Sequence, residues 1–307
     1  MSLLVVGSVA LDSVETPFGK ADEVLGGSAT FFSASACNLT PVQVVGVVGD
    51  DYPVDKLKPL EKRGVDFAGL ERAKGRSFRW RGRYRHDLNV AETLETHLGV
   101  FSNFSPKIPA QFRNAPFVFL GNIDPRLQLD VLTQVDKPKL VACDTMNFWI
   151  EGKNEALKRL LAEVDGLIIN DSEARLLAGE LNTVVAARRL LSLGLRFLVI
   201  KRGEYGAALF AEGHYFAVPA YPVERPVDPT GAGDSFAGGF MGHLAKTGET
   251  SGRGLREAMI YGSVLASFCV EDFSLRRLGT LTPGEIDARA GELRDFLSLD
   301  APSSGRR

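Results

Sequence analysis

Short, mostly apolar runs recur along the chain at residues 3–7, 43–48, 117–121, 139–144, 166–170 and 197–201. A run without polar alternation predicts a strand buried on both faces, as in a parallel sheet. Between these runs, helical periodicity appears over 28–38, 54–63, 125–135, 154–163, 172–179 and 182–193, and again over 235–246 and 255–270. Strands that alternate with helices imply βαβ units and a largely parallel sheet, with its ligand crevice beyond the carboxyl ends of the strands. Polar residues do follow the predicted strand ends: Asp12, Asn122, Asp124, Asp144, Asn147, Asn170 and Glu173. Two segments break the alternation. Residues 11–25 are short and turn-rich, and residues 78–85 alternate with period two, setting Arg79, Arg81, Arg83 and Arg85 on one face. With a further strand pattern near 92–101, they predict a small antiparallel β flap beside the main sheet. Its arginine face suits either a solvated edge that resists aggregation or a lid and subunit surface.

Composition narrows the class. At 307 residues, 45% hydrophobic and 24% charged, the chain is of ordinary globular make-up, and a net charge of −2 gives no basic surface for nucleic acid. No stretch approaches the ~18 apolar residues of a membrane helix. Cys37, Cys143 and Cys269 are scattered, and four dispersed histidines offer no zinc-type spacing. Reduced cysteines and no signal-like start predict a cytoplasmic protein. A single α/β domain is expected over 1–300, with the lid at about 11–25 and 77–102 and a disordered tail at 301–307.

The densest chemistry lies in Val227-Asp228-Pro229-Thr230-Gly231-Ala232-Gly233-Asp234-Ser235-Phe236-Ala237-Gly238-Gly239-Phe240. Here a small-residue turn leads straight into a helix and carries one carboxylate at its mouth. Gly231, Ala232 and Gly233 leave their N–H groups unobstructed, and a helix start favours an anion. Asp234 is placed to take a proton beside that anion, which points to phosphoryl transfer to a hydroxyl. Known alternatives fail: G-x-G-x-x-G meets Phe236 at its last glycine, no G-x-x-x-x-G-K-[ST] occurs, and Gly233-Asp234-Ser235-Phe236-Ala237 lacks the closing glycine of G-x-S-x-G.

This stretch resembles the C-terminal signature of the ribokinase-like carbohydrate kinases, the PfkB family, and the similarity extends from the first strand to about residue 297. The resemblance implies a ribokinase-like three-layer α/β sandwich with a mostly parallel central sheet and a small antiparallel β lid. It implies Asp234 as catalytic base, the amides of Gly231, Ala232 and Gly233 as anion hole, and ATP with Mg2+ as cofactors. It places Asp228 and Thr230 near the nucleotide; some members also hold a monovalent cation such as K+ near Pro226–Thr230. Asn170-Asp171-Ser172-Glu173 matches the family's N-x-x-E, which implies that Asn170 and Glu173 hold Mg2+ through water. A capping box would use the same two residues, and both roles can hold at once. Lys201-Arg202-Gly203-Glu204-Tyr205-Gly206 falls at the family's K-x-G-x-x-G beside the nucleotide, with Lys201 able to neutralise phosphate and Gly203 admitting close approach. The apolar 255–270 helix resembles the wall of the adenine slot, with Ser263 and Ser267 as polar contacts.

At the acceptor end, Asp12, Gly26 and Gly27 match positions that meet substrate hydroxyls. An asparagine that binds sugar in the family is replaced here by an aromatic residue, Phe31, which could stack on a sugar face or a base. Asn122 and Asn147 are further substrate candidates; the loop Asp144-Thr145-Met146-Asn147-Phe148-Trp149 keeps the family's acid, amide and Trp but not its arginine. The expected reaction is ATP-dependent phosphorylation of a small sugar or sugar-like acceptor. A nucleoside acceptor of the adenosine, inosine or cytidine type is the alternative, and a non-catalytic ligand-binding homologue a more distant one. The expected partners are small molecules and a second subunit paired through the lid.

Overall fold

The computed structural model describes residues 1–299, so the 301–307 tail lies outside the described residues. The chain opens with β1 (Leu3–Val6), β2 (Ala10–Thr16), β3 (Gly19–Gly26), α1 (Ser28–Ala36) and β4 (Val42–Val48). Next come α2 (Lys58–Glu61), β5 (Val65–Arg72), β6 (Phe78–Tyr84), β7 (Ala91–His97) and β8 (Phe117–Leu120). The middle comprises α3 (Pro125–Leu132), β9 (Leu140–Cys143), α4 (Asn147–Gly152), α5 (Asn154–Leu161), β10 (Gly166–Asn170), α6 (Asp171–Ala178) and α7 (Thr183–Leu191). The last third holds β11 (Phe197–Lys201), β12 (Ala207–Ala211), β13 (His214–Val218), α8 (Ala232–Thr247), α9 (Gly252–Cys269) and α10 (Pro283–Asp295).

Nine strands form the main sheet in the order β13-β12-β11-β10-β9-β8-β1-β4-β5. All neighbours from β11 to β5 run parallel, and β12 and β13 add an antiparallel edge. The buried strands explain themselves by their period of two. Leu3 and Val5 enter one apolar layer while Leu4 and Val6 enter the other; Phe117 and Phe119 oppose Val118 and Leu120 in the same way. Both faces are therefore covered, by α1, α8, α9 and α10 on one side and α3, α5, α6 and α7 on the other. The three layers of the resembled family are present.

Helix α8 carries the signature and sits deep because its glycines allow it. A Cβ on Gly238 would lie 2.3 Å from the Phe32 carbonyl oxygen of α1, and one on Gly239 would lie 2.5 Å from that of Tyr261 on α9. Helix-propensity losses of about 1 kcal/mol per glycine are accepted for that close approach.

The second sheet has the order β3-β2-β6-β7. Two antiparallel hairpin-like pairs, β2–β3 and β6–β7, join edge to edge through a parallel β2–β6 ladder. Two of the three arginines of β6 are ion-paired, and the third, Arg81, is exposed. Arg79 contacts Glu23 and Asp51 at 2.6 and 2.7 Å, and Arg83 reaches Glu15 at 3.1 Å. Under this sheet, Val14, Ala21, Tyr84 and Phe273 make a small apolar cluster that ties it to the body.

Candidate active site

The turn before α8 is shaped by Gly231, whose φ of 75° lies in the left-handed region, and by the ring of Phe31 beneath it. A Cβ at Gly231 would fall 2.2 Å from Phe31 Cγ. Phe31 is 2% exposed, so it supports the turn; the expectation that it stacks on substrate is corrected, because the ring is buried in the core with Gly231 against it. Of the three amides expected to form an anion hole, Ala232 donates to the Pro229 carbonyl at 3.1 Å. The N–H groups of Gly231 and Gly233 have no partner among the described residues.

Asp228 and Thr230 brace this turn from behind. Asp228 is 1% exposed, and its two oxygens accept from Thr230 N at 2.9 Å and Ser274 N at 3.3 Å. Thr230 Oγ1 donates to the Tyr84 hydroxyl at 3.3 Å, which links the second sheet to the loop. Direct nucleotide contact by Asp228 is therefore corrected to a loop clamp: the carboxylate is buried, holds two backbone N–H groups and does not line the cavity beside the turn.

Asp234 stands between two charged groups of residues. On one side Lys201, at the end of β11, places its ammonium 3.7 Å from Asp144 Oδ2, at the end of β9, and beside Gly233. Burial first, then the charge of Asp144, pushes the Asp234 carboxyl up to about 7, with Lys201 pulling the other way. Burial also opposes the charge of Lys201, yet Asp144, Glu173 and Asp234 together hold its pKa above the ordinary value. Asp144, itself buried, is raised by desolvation against the pull of Lys201. On the other side, Asp12 is 5% exposed and pushed up to about 7 by burial and by Asp228 and Asp234, while a hydrogen bond from Gly27 N–H lowers it. Gly26 makes room for Asp12: a Cβ there would lie 2.0 Å from Asp12 Oδ2. Gly27, with φ of 92°, caps α1.

Asn170 and Glu173 form the capping box of α6. Asn170 N donates to Glu173 Oε2 at 2.9 Å, and Glu173 N donates to Asn170 Oδ1 at 2.8 Å. That leaves Glu173 Oε1 and the Asn170 amide nitrogen for other work. Burial, then the charge of Asp144, lifts Glu173 to about 7. Among the described residues no group of three or more His, Cys, Asp or Glu could grip a metal directly. Three carboxylates around one lysine nevertheless leave unbalanced negative charge, which fits a cation held through its waters.

A cavity of about 550 Å³ opens on the other side of the turn, lined by Lys201, Gly203, Gly233, Phe236, Ser263 and Ser267 among others. Asp234, Asp12, Asn170 and Glu173 stay outside that lining. The cavity thus ends where the acids begin. The β6–β7 loop, residues 86–89, reaches across it, and Asn89 lies against Gly203 with its Oδ1 3.4 Å from the Glu204 N–H. Ser267 donates to the Val264 carbonyl at 2.7 Å and receives Arg289 Nη1 at 3.0 Å. Asn122 accepts from Trp149 Nε1 at 2.9 Å, and Asn147 is exposed at the start of α4.

Sequence reasoning left Asp144 without a partner, placed the 86–89 loop only within the 77–102 lid, and passed over Tyr221 and Arg289. A single acid ending the all-apolar strand Leu140–Cys143 was the available signal for Asp144. None existed for the others, because their place depends on tertiary packing.

A crevice past the strand ends, with unpaired amides, a cation and a raised carboxyl at the boundary of a nucleotide-sized cavity, is the equipment of a phosphotransferase acting on an alcohol. The comparisons agree. The model for the pfkB family carbohydrate kinases matches residues 23–279, and the chain belongs to that family. A cytidine kinase of Thermococcus kodakarensis is 30% identical over 269 residues, covering 85% of this chain and 93% of the relative. Two solved structures share the fold. The nucleoside kinase of Burkholderia thailandensis in complex with inosine aligns with TM-score 0.75 at 20% identity, over 95% of this chain and 98% of that one. A putative ribokinase II of E. coli in complex with ATP and Mg2+ gives 0.77 at 18% identity, over 95% and 99%. The chain is a kinase with an alcohol group as acceptor. Among the described residues no helix is long and apolar enough to cross a membrane.

Proposed function

We propose that the chain transfers the terminal phosphoryl group of ATP to a hydroxyl of a small sugar-bearing acceptor, and that the acceptor is a nucleoside. The observation that carries the reaction is Asp234, raised to about 7 between the Lys201 cluster and Asp12. A base with that pKa is half ionised near neutrality, where general bases work best. In this reading Asp12 orients the acceptor by accepting from its hydroxyls. Asp234 then takes the proton of the attacking hydroxyl as that oxygen bonds to phosphorus. The free amides of Gly231 and Gly233, with the α8 dipole and the Lys201 ammonium, stabilise charge that gathers on the phosphoryl oxygens. Glu173 and Asn170 would hold Mg2+ through water, and that ion would neutralise phosphate charge. The second sheet and its 86–89 loop cover the crevice and limit loss of phosphate to water.

The choice of a nucleoside over a free sugar rests on likeness to the cytidine kinase across most of both chains. A screen of cytidine, adenosine, inosine, ribose and fructose for ADP release tests it. Turnover of nucleosides is expected. Turnover of free sugars alone would replace the acceptor, and ADP release with none of them would reject both acceptor classes.

A further inference from the structure

One side chain at the cavity wall has its hydrogen-bonding direction fixed from behind. A serine hydroxyl offers one proton and two lone pairs. The Ser267 proton is spent on the Val264 carbonyl, 2.7 Å away one turn back on α9. One lone pair receives Arg289 Nη1 at 3.0 Å. The other lone pair is what Ser267, which lines the cavity, can still offer to a ligand.

Arg289 cannot easily let go. Its guanidinium lies over the ring of Phe268 at 3.5 Å and over that of Tyr221 at 4.4 Å. Its Nη2 meets Glu271 Oε1 at 2.7 Å, and its side chain is only 16% exposed. Stacked, ion-paired arginine is among the more rigid arrangements a side chain adopts. Arg289 does not line the cavity itself, whereas Tyr221 and Ser267 on its two sides do.

We propose that Arg289, acting as a positioning residue, holds Ser267 as an obligate acceptor, so that the cavity selects a base bearing an N–H donor, adenine, over one bearing a carbonyl at the same place. This rests on the reading of the cavity as the ATP site. An exocyclic amino group satisfies the remaining lone pair. A carbonyl oxygen there sets lone pair against lone pair, with no rotation of the hydroxyl available to relieve it. Ser263, one turn earlier on α9, also reaches the cavity, and its hydroxyl is not pinned in this way.

Inosine triphosphate is the direct probe, since it replaces the 6-amino group of ATP by a carbonyl. Calorimetric titration of the full chain with each triphosphate, without acceptor, should show ATP bound roughly 10- to 100-fold more tightly. In Ser267→Ala and in Arg289→Met the ratio should shrink to within about threefold, even where both affinities change, because loss of packing alone would weaken both ligands together. Equal affinities in the wild type, or a ratio unmoved in both variants, would overturn the inference, and so would failure of ATP to bind. Binding with the expected ratio but no turnover of any nucleoside would instead reject the proposed acceptor and leave the base selection standing.

Discussion

Two glycines two residues apart should fail in opposite ways when given a methyl group. At Gly233 the added Cβ would lie 2.8 Å from Lys201 Nζ, with Lys201 Cε next at 3.6 Å. The obstacle is the far end of a flexible side chain, so the ammonium retreats by about 1 Å to reach ordinary contact. Gly233 lies inside α8 without positive φ, and alanine there gains up to about 1 kcal/mol of helix propensity. Gly233→Ala should therefore fold at least as well as the wild type. Its kcat/KM should nevertheless fall about 10²-fold, the loss that a roughly 1 Å misplacement of a positioning group can cause. At Gly231 the same change meets φ of 75° and the fixed ring of Phe31 at 2.2 Å. Left-handed backbone costs about 1–2 kcal/mol for alanine, and overpacking against a buried ring about 1–3 more. Gly231→Ala should lose about 2–5 kcal/mol by those two terms. Urea unfolding read beside initial-rate kinetics separates the two effects. Full activity in Gly233→Ala would refute the placement of Lys201 at the phosphoryl group, and undiminished stability in Gly231→Ala would refute the seating of the turn on Phe31.

Two further outcomes follow from the acids. Because burial holds Asp234 near 7, the base is protonated below that pH; kcat/KM should fall about tenfold per unit on the acid side and level off above. Asp12 and Glu173 titrate in the same range, so the limb belongs to the coupled set, and a limb near 4 would contradict the buried placement. Gly26→Ala drives a methyl group into the Asp12 carboxylate and should raise the acceptor KM about 10–100-fold while leaving the KM for ATP within about threefold; parallel rises in both would detach Asp12 from the acceptor.

What the sequence made legible was whatever depends on neighbours along the chain. The six apolar runs were strands because both faces of the sheet are covered, which removes polar alternation. β5 and β13 escaped notice for the converse reason: they lie at the two edges of the main sheet, and Val65–Arg72 and His214–Val218 mix exposed with buried positions. α10 was also passed over, although Thr282, Pro283 and Glu285 make a capping box with proline in the first turn; its charged composition hid the apolar stripe of Ile286, Ala290 and Leu293. In the site, the small-residue turn and Asp234 could be read from one continuous stretch. The partner of Lys201 could not, since Asp144 sits two strands away in the sheet. Asp228 and Phe31 misled for a related cause. Their types suit ligand contact, but only packing decides whether a carboxylate or a ring faces the crevice or the loop beside it.

The most direct measurement is the turnover of Asp234→Asn, which keeps the side chain's size and removes its ability to take a proton. With ATP and the best acceptor, kcat should drop about 10²–10⁴-fold while the affinity for ATP stays within about threefold. Turnover close to the wild-type rate would show that the proton leaves by another route, and that Asp234 is not the base.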